Sequence, residues 1–177
     1  MKRHPALRDL SSDHHQGLVQ ARRLVKAAEE DTASPTGGVT AVHEGAAANA
    51  EALAQVARDF LTFWSQHTVL HFRQEEEVLL PAFARYGDPA LEPVVRVLVE
   101  HVQIRRLVDD LQQQVASGQP SVQTMRAIGE MLKGHIRYEE NVLFPLIEAA
   151  MPEEALAELP DRVADFEKHA REQIASS

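Results

Sequence analysis

The chain has 177 residues, and its 18 Lys and Arg against 27 Asp and Glu leave a net charge of −9, which excludes a phosphate backbone, and so nucleic acid, as an expected partner. It has no cysteine, so disulfides, thiolate ligands and thiol nucleophiles are excluded, and any transition metal must be held by imidazole and carboxylate. No apolar run is long enough to span a bilayer, and no apolar stretch of a secretory signal follows Met1-Lys2-Arg3-His4-Pro5, so a single cytoplasmic domain with a mostly aliphatic core is expected.

Residues 1–10 read as a lead-in. Ser11 and Ser12 can cap a first helix opening at Asp13, with Leu18, Ala21, Val25 and Ala28 at helical spacing, ending near Glu30. Ser34-Pro35-Thr36-Gly37-Gly38 signals a loop. A second helix starts within 44–49, and Leu53, Val56, Phe60, Phe63, Leu70 and Val78 form its inner stripe before Pro81 ends it. Asp88 and Pro89 suit the start of a third, with Val94, Val97, Leu98, His101, Ile104, Val108, Leu111 and Val115 on one side. A fourth runs from Ser121 to Ala150, with Met125, Ile128, Leu132, His135, Val142 and Leu146 inward, and Pro152 ends it. Short helices follow, one starting at Pro160. The spacing predicts an all-α fold: an antiparallel up-down four-helix bundle over residues 1–151 with a helical extension over 152–177 packed on or beside it.

One pattern occurs twice. His71-Phe72-Arg73-Gln74-Glu75-Glu76-Glu77-Val78-Leu79-Leu80-Pro81 and His135-Ile136-Arg137-Tyr138-Glu139-Glu140-Asn141-Val142-Leu143-Phe144-Pro145 both read His-x-x-x-Glu-Glu-x-Val-Leu-x-Pro. A His and a Glu four residues apart share one helix face, one turn from each other, and can chelate together. Helices one and three each add an acidic-His pair, Asp13-His14 and Glu100-His101. The candidate metal ligands are therefore His14, His71, Glu75, His101, His135 and Glu139. His15 is the alternate to His14, and His67, one turn before His71, is either an extra ligand or a core residue. Phe72, Leu79, Leu143 and Phe144 should keep the site dry. Adjacent helical residues point about 100° apart, so Glu76, Glu77 and Glu140 are expected to face solvent, as are His4, His43 and His169; Asp13 and Glu100, each beside a ligand candidate, could orient a ring or sit in solvent, the second being expected. Glu75 and Glu139, buried at one level, should raise each other's cost of ionisation and, when no metal is bound, hold a proton or strain the bundle.

The paired motifs, with a single His on each alternate helix, resemble the hemerythrin-like HHE cation-binding domains over roughly residues 6–150. The stretch Leu10-Ser11-Ser12-Asp13-His14-His15-Gln16-Gly17-Leu18 resembles a bacterial branch of that family. The resemblance implies a four-helix bundle holding two non-haem iron ions, bridged by two carboxylates and an oxo or hydroxo group, with zinc or manganese as substitutes. The chain departs from the oxygen carriers of the family. Their third helix supplies two His one turn apart, whereas Arg105 follows His101 here, and their fourth helix ends its motif in Asp five residues after the His, whereas Glu139 comes four after His135.

The resulting expectation is a non-haem di-iron protein, monomer or homodimer, that binds or senses a small oxidant or gas such as dioxygen, nitric oxide or peroxide. Two alternatives stand beside it: a di-iron enzyme removing peroxide or nitric oxide, and a metal-dependent regulatory module. The sequence leaves open whether the chain is an enzyme.

Overall fold

The computed structural model describes residues 3–33 and 42–175, with side chains for 3–31 and 48–173. The predicted loop at Ser34–Gly38 and the side chain of His43 lie outside these. The described residues are helical, without a strand. Five helical rods follow one another: α1 (Arg8–Ala33); a second rod over 42–83 made of α2 (Val42–Phe63), α3 (Val69–Gln74) and α4 (Leu80–Phe83); α5 (Glu92–Ala116); a fourth rod over 122–150 made of α6 (Val122–Tyr138) and α7 (Phe144–Ala150); and the pair α8 (Glu153–Ala157) and α9 (Leu159–Ala175). Around the bundle, α1 packs on α6, α6 on α5, α5 on α2 and α2 on α1. No described helix is long and apolar enough to cross a membrane.

The first helix begins earlier than the Ser11-Ser12 cap suggests. His4 caps a 3₁₀ turn at Pro5–Leu7, its ring accepting from Ala6 N–H at 3.2 Å. Pro5 supplies the fixed φ that a first turn needs, and the helix continues directly into Arg8. Residues 6–10 are therefore no lead-in: Ala6, Leu7 and Leu10 are core. The third rod begins later than expected. Asp88 closes a turn by accepting from Ala90 N–H at 2.9 Å, and the helix opens at Glu92, with Pro93 in its first turn.

The second and fourth rods do not end at their prolines. A proline inside a helix lacks an N–H and its ring collides with the carbonyl four residues back. Here a five-residue π-helical turn precedes each one, at Glu75–Leu79 before Pro81 and at Glu139–Leu143 before Pro145. The N–H of Leu80 reaches Glu75 O and that of Phe144 reaches Glu139 O, a spacing of five. The wider turn shifts the carbonyls against the ring, and the rod runs on. It also rotates everything downstream by one residue. Leu143, Phe144 and Ile147 are buried, whereas the predicted Val142 is 37% exposed. In the second rod the buried stripe runs Leu53, Ala57, Phe60 and Trp64, leaving Phe63 half-buried, and a third π turn follows at Trp64–Thr68.

The core divides in two. One apolar cluster gathers Leu7, Leu10, Leu79, Phe83, Val97 and Phe144, among others, with Leu156 and Leu159 of the C-terminal pair. The other gathers Leu24, Phe60, Phe72, Ile104, Met125 and Leu132 with their neighbours. On α1, α5 and the fourth rod the buried polar residues between these clusters in sequence are His14, His101 and Glu139, with His135 one turn before Glu139 at the edge of the second cluster. A polar layer thus crosses the bundle between two apolar ones. Glycines let α1 and α6 meet closely there: a Cβ on Gly17 would lie 2.8 Å from Ile136 Cδ1, and one on Gly129 2.6 Å from the carbonyl oxygen of Ala21.

Candidate metal centre

His14, His71, Glu75, His101, His135 and Glu139 come together in this layer, each 7% exposed or less. They form two four-residue groups, His14–His71–Glu75–Glu139 and Glu75–His101–His135–Glu139, and within each group the facing donor atoms lie within 4.8 Å of one another. Both carboxylates belong to both groups. His14 Nε2 stands 3.1 Å from Glu139 Oε2, and His135 Nε2 3.1 Å from Glu139 Oε1. His101 Nε2 stands 3.3 Å from Glu75 Oε2, and His71 Nε2 3.6 Å from Glu75 Oε1. Both oxygens of Glu75, both of Glu139, and the Nε2 atoms of His101 and His135 are buried without a hydrogen-bond partner. Orphaned buried carboxylate oxygens are costly unless a cation satisfies them. Imidazole nitrogens and carboxylates converging with no sulfur suit iron, manganese or zinc, and the arrangement fits metal binding.

Carboxylates hold the outer face of the rings. His14 Nδ1–H donates to Glu140 at 2.6 Å, His101 Nδ1–H to Glu76 at 2.7 Å and His135 Nδ1–H to Glu100 at 2.9 Å. A carboxylate can only accept, so each bond puts the proton on Nδ1 and turns Nε2 inward, as a metal ligand requires. Arginines anchor these carboxylates in turn: Arg105 on Glu76 at 2.8 and 3.0 Å, Arg3 on Glu140 at 2.7 Å and Arg96 on Glu100 at 2.8 Å. The fourth ring differs. His71 Nδ1 has no hydrogen-bond partner; Asp13 is 3.5 Å away and largely exposed.

Glu76, Glu100 and Glu140 therefore do not face solvent as expected. Each turns away from the centre, but its neighbour on that side is another rod's imidazole. The signal was in the repeat: both copies carry a second Glu directly after the ligand Glu. Glu77 does stay outside, paired with Arg73 at 2.7 Å. Arg105, where the oxygen carriers have a second His, acts on the centre through Glu76. His15 and His67 are exposed and outside both groups, and His67 stacks on Phe63 instead. Phe72, Leu79, Leu143 and Phe144 are buried, Phe72 stacking on His101 with centroids 3.7 Å apart and Phe144 on His14 at 5.3 Å.

A family model for the hemerythrin HHE cation-binding domain matches residues 6–147. The chain belongs to that family. No curated protein and no solved structure matches it. As in the family's name, His and Glu carry the centre, and here the electrostatics show where the metal-free hemerythrin domain keeps its protons. Burial alone would lower the pKa of His14, but the Glu139 and Glu140 carboxylates beside its ring outweigh this and hold it up to about 10. For His101 burial is likewise overcome by Glu139, Glu75 and Glu76, giving about 10. His135 is raised against burial by Glu139 and Glu100. Burial would raise Glu139, yet His135, His101 and His14 hold it well below the ordinary carboxylate range. The expectation that the carboxylate pair keeps a proton is corrected for Glu139: the imidazoles take the protons, because three of them surround that carboxylate.

The two candidates on helix one separate cleanly. His14→Ala should weaken iron retention by at least the roughly 10–100-fold that loss of an outer partner costs, and His15→Ala should leave it unchanged, as measured by chelator competition.

Proposed function

We propose that the chain is a non-haem di-iron protein that binds or senses a small oxidant or gas: dioxygen, nitric oxide or peroxide. The observation that carries this reading is the double group of donors sharing Glu75 and Glu139, set against a cavity of about 30 Å³. Gly17, Phe63, Phe72, Leu132 and Ile136 line that cavity together with His14, His71, His135 and Glu139. A probe volume of about 10–15 Å³ holds one water, so this space takes a molecule of about two heavy atoms and little more. Its apolar walls favour an uncharged gas or peroxide over an ion with a hydration shell.

In this reading His14 and His71 would hold one iron and His101 and His135 the other, with Glu75 and Glu139 available to both. Iron bound there supplies a redox-active Lewis-acid position for the small ligand. The chain's own residues orient the rings through Glu140, Glu76 and Glu100, and Phe72 and Phe144 exclude water. We further read the four rods over 1–151 as an antiparallel up-down bundle, supported by the short connections after Phe83 and Ala116, with 152–177 as its helical extension.

Anaerobic Fe(II) loading should give about two irons per chain, the number that two groups of four donors accommodate. Elemental analysis giving one or fewer in folded protein would overturn the dinuclear reading. Optical spectra of the loaded protein, with and without nitric oxide and peroxide, test the ligand. A stable spectral shift supports binding or sensing, and continuous consumption of the added molecule would favour the enzyme.

A further inference from the structure

The small cavity beside the centre shares a wall with a larger one. Asp13, His67 and His71 line both the inner cavity and an outer cleft of about 300 Å³. α1 and α3 supply the floor of this cleft through Asp9, Leu70 and Gln74, and α9 supplies the roof through Val163, Ala164 and Glu167. The roof lies beyond the residues that match the family. It is held by buried Leu159 and Ala170 and by Arg73, whose guanidinium sits 5.1 Å from the Phe166 ring centroid.

Three corners of the centre are closed. Each of His14, His101 and His135 has a carboxylate behind it, and each carboxylate has an arginine behind it. The His71 corner has neither a hydrogen-bonded carboxylate nor an anchoring arginine among the described residues, and His71 is 7% exposed where the other five residues of the centre are at 0–3%. A metal ion leaving by any other corner would have to break a hydrogen-bonded, half-buried carboxylate–imidazole pair that an arginine anchors. At His71 the imidazole, with the exposed Asp13 carboxylate 3.5 Å from its Nδ1, stands between the centre and the cleft. The cleft mouth is acidic: Asp9 and Asp13 are exposed there, and Arg171 is neutralised by Glu167 at 2.6 Å. Such a mouth concentrates divalent cations.

We propose that the cleft beneath α9 is the port through which iron enters and leaves the centre, with His71 as the ligand at its inner end. The proposal rests on the metal-centre reading above. Its test is kinetic. In Ala164→Trp and Val163→Trp an indole fills the cleft, and both anaerobic Fe(II) loading and iron removal by a small bidentate chelator should slow by tenfold or more. The iron bound at the end point should match wild type. Val163→Ala, a milder change that widens the cleft, should speed both. Ala52→Trp is the control, because it fills a cleft of about 290 Å³ between α1 and α2 that none of the six ligands lines. Wild-type rates in both filled variants and in Val163→Ala, with iron bound as in wild type, would overturn the port alone. A wild-type chain that binds no iron would overturn the centre, and the port with it.

Discussion

Iron(II) loading should raise the thermal midpoint of the protein, and the gap between loaded and metal-free forms should widen as pH rises from about 6 to about 9. A ligand that binds only the folded chain stabilises it by mass action, about 4 kcal/mol at a free concentration about 1,000 times Kd. For a chain of this size that is roughly 8–16 °C. The pH dependence follows from where the metal-free protons sit. His14 and His101 titrate near 10 in the folded metal-free chain and His135 is also raised, against about 6.5 when unfolded. A raised imidazole stabilises the fold fully below the unfolded pKa, and that stabilisation is lost as pH rises toward the folded one. The metal-free form therefore weakens across this window. Metal needs neutral imidazoles, so its apparent affinity gains about tenfold per pH unit for each proton it displaces. Both effects act in one direction. Glu139, being lowered, loses its contribution only in acid, below the ordinary carboxylate range, and does not oppose them. Melting curves of both forms at several pH values check this; a gap that stays constant or narrows would mean that the imidazoles of the centre do not bind the metal.

The ligand set was legible because chelation leaves a mark at helical spacing. His71 with Glu75 and His135 with Glu139 are each one turn apart, and the motif repeats with the same flanks. The register beyond the prolines was not legible, because a 3.6-residue period presumes an uninterrupted helix. The π turns add about 100° of rotation, which exchanges Val142 for Leu143 and Leu146 for Ile147 as buried residues. Pro81 and Pro145 were the visible trace of those turns: Pro81 was read as a stop and Pro145 was passed through, although each fits a helix whose carbonyls have been displaced. The outer carboxylates of Glu76 and Glu140 were missed, and the ring-orienting role open to Glu100 was placed second to solvent, for a different reason. Glu76, Glu100 and Glu140 do point away from their own helix's inner stripe, and only the neighbouring rod shows that an imidazole waits there. Helix starts depended on residues at the edge of any periodic signal: His4 caps through its ring, and Asp88 spends its side chain on a turn rather than on α5.

Glu139 should be the most sensitive position in the chain. It belongs to both groups of donors, and it faces His14, His101 and His135 at once. Glu139→Gln removes the charge that both groups of donors share and leaves an amide nitrogen in place of one carboxylate oxygen. Iron content at saturation should fall from about two per chain to below one, since neither position keeps its full set. Glu140→Gln is the contrasting variant. It alters the partner that His14 Nδ1 shares with Arg3 and leaves all six candidate ligands in place, so iron content should hold while affinity falls roughly 10–100-fold. The two variants also differ without metal. In Glu139→Gln three buried imidazoles lose the carboxylate that holds their protons, and breaking a buried pair in this way costs about 3–5 kcal/mol where the remaining charge is retained. The loss should be largest near pH 6, where the imidazoles still compete for protons, and should shrink as pH rises and they become neutral. Elemental analysis with denaturant melts of the metal-free form at acid and alkaline pH separates these effects. Two irons retained in folded Glu139→Gln would show that Glu139 bridges nothing, and would reduce the centre to independent sites on His14 with His71 and on His101 with His135.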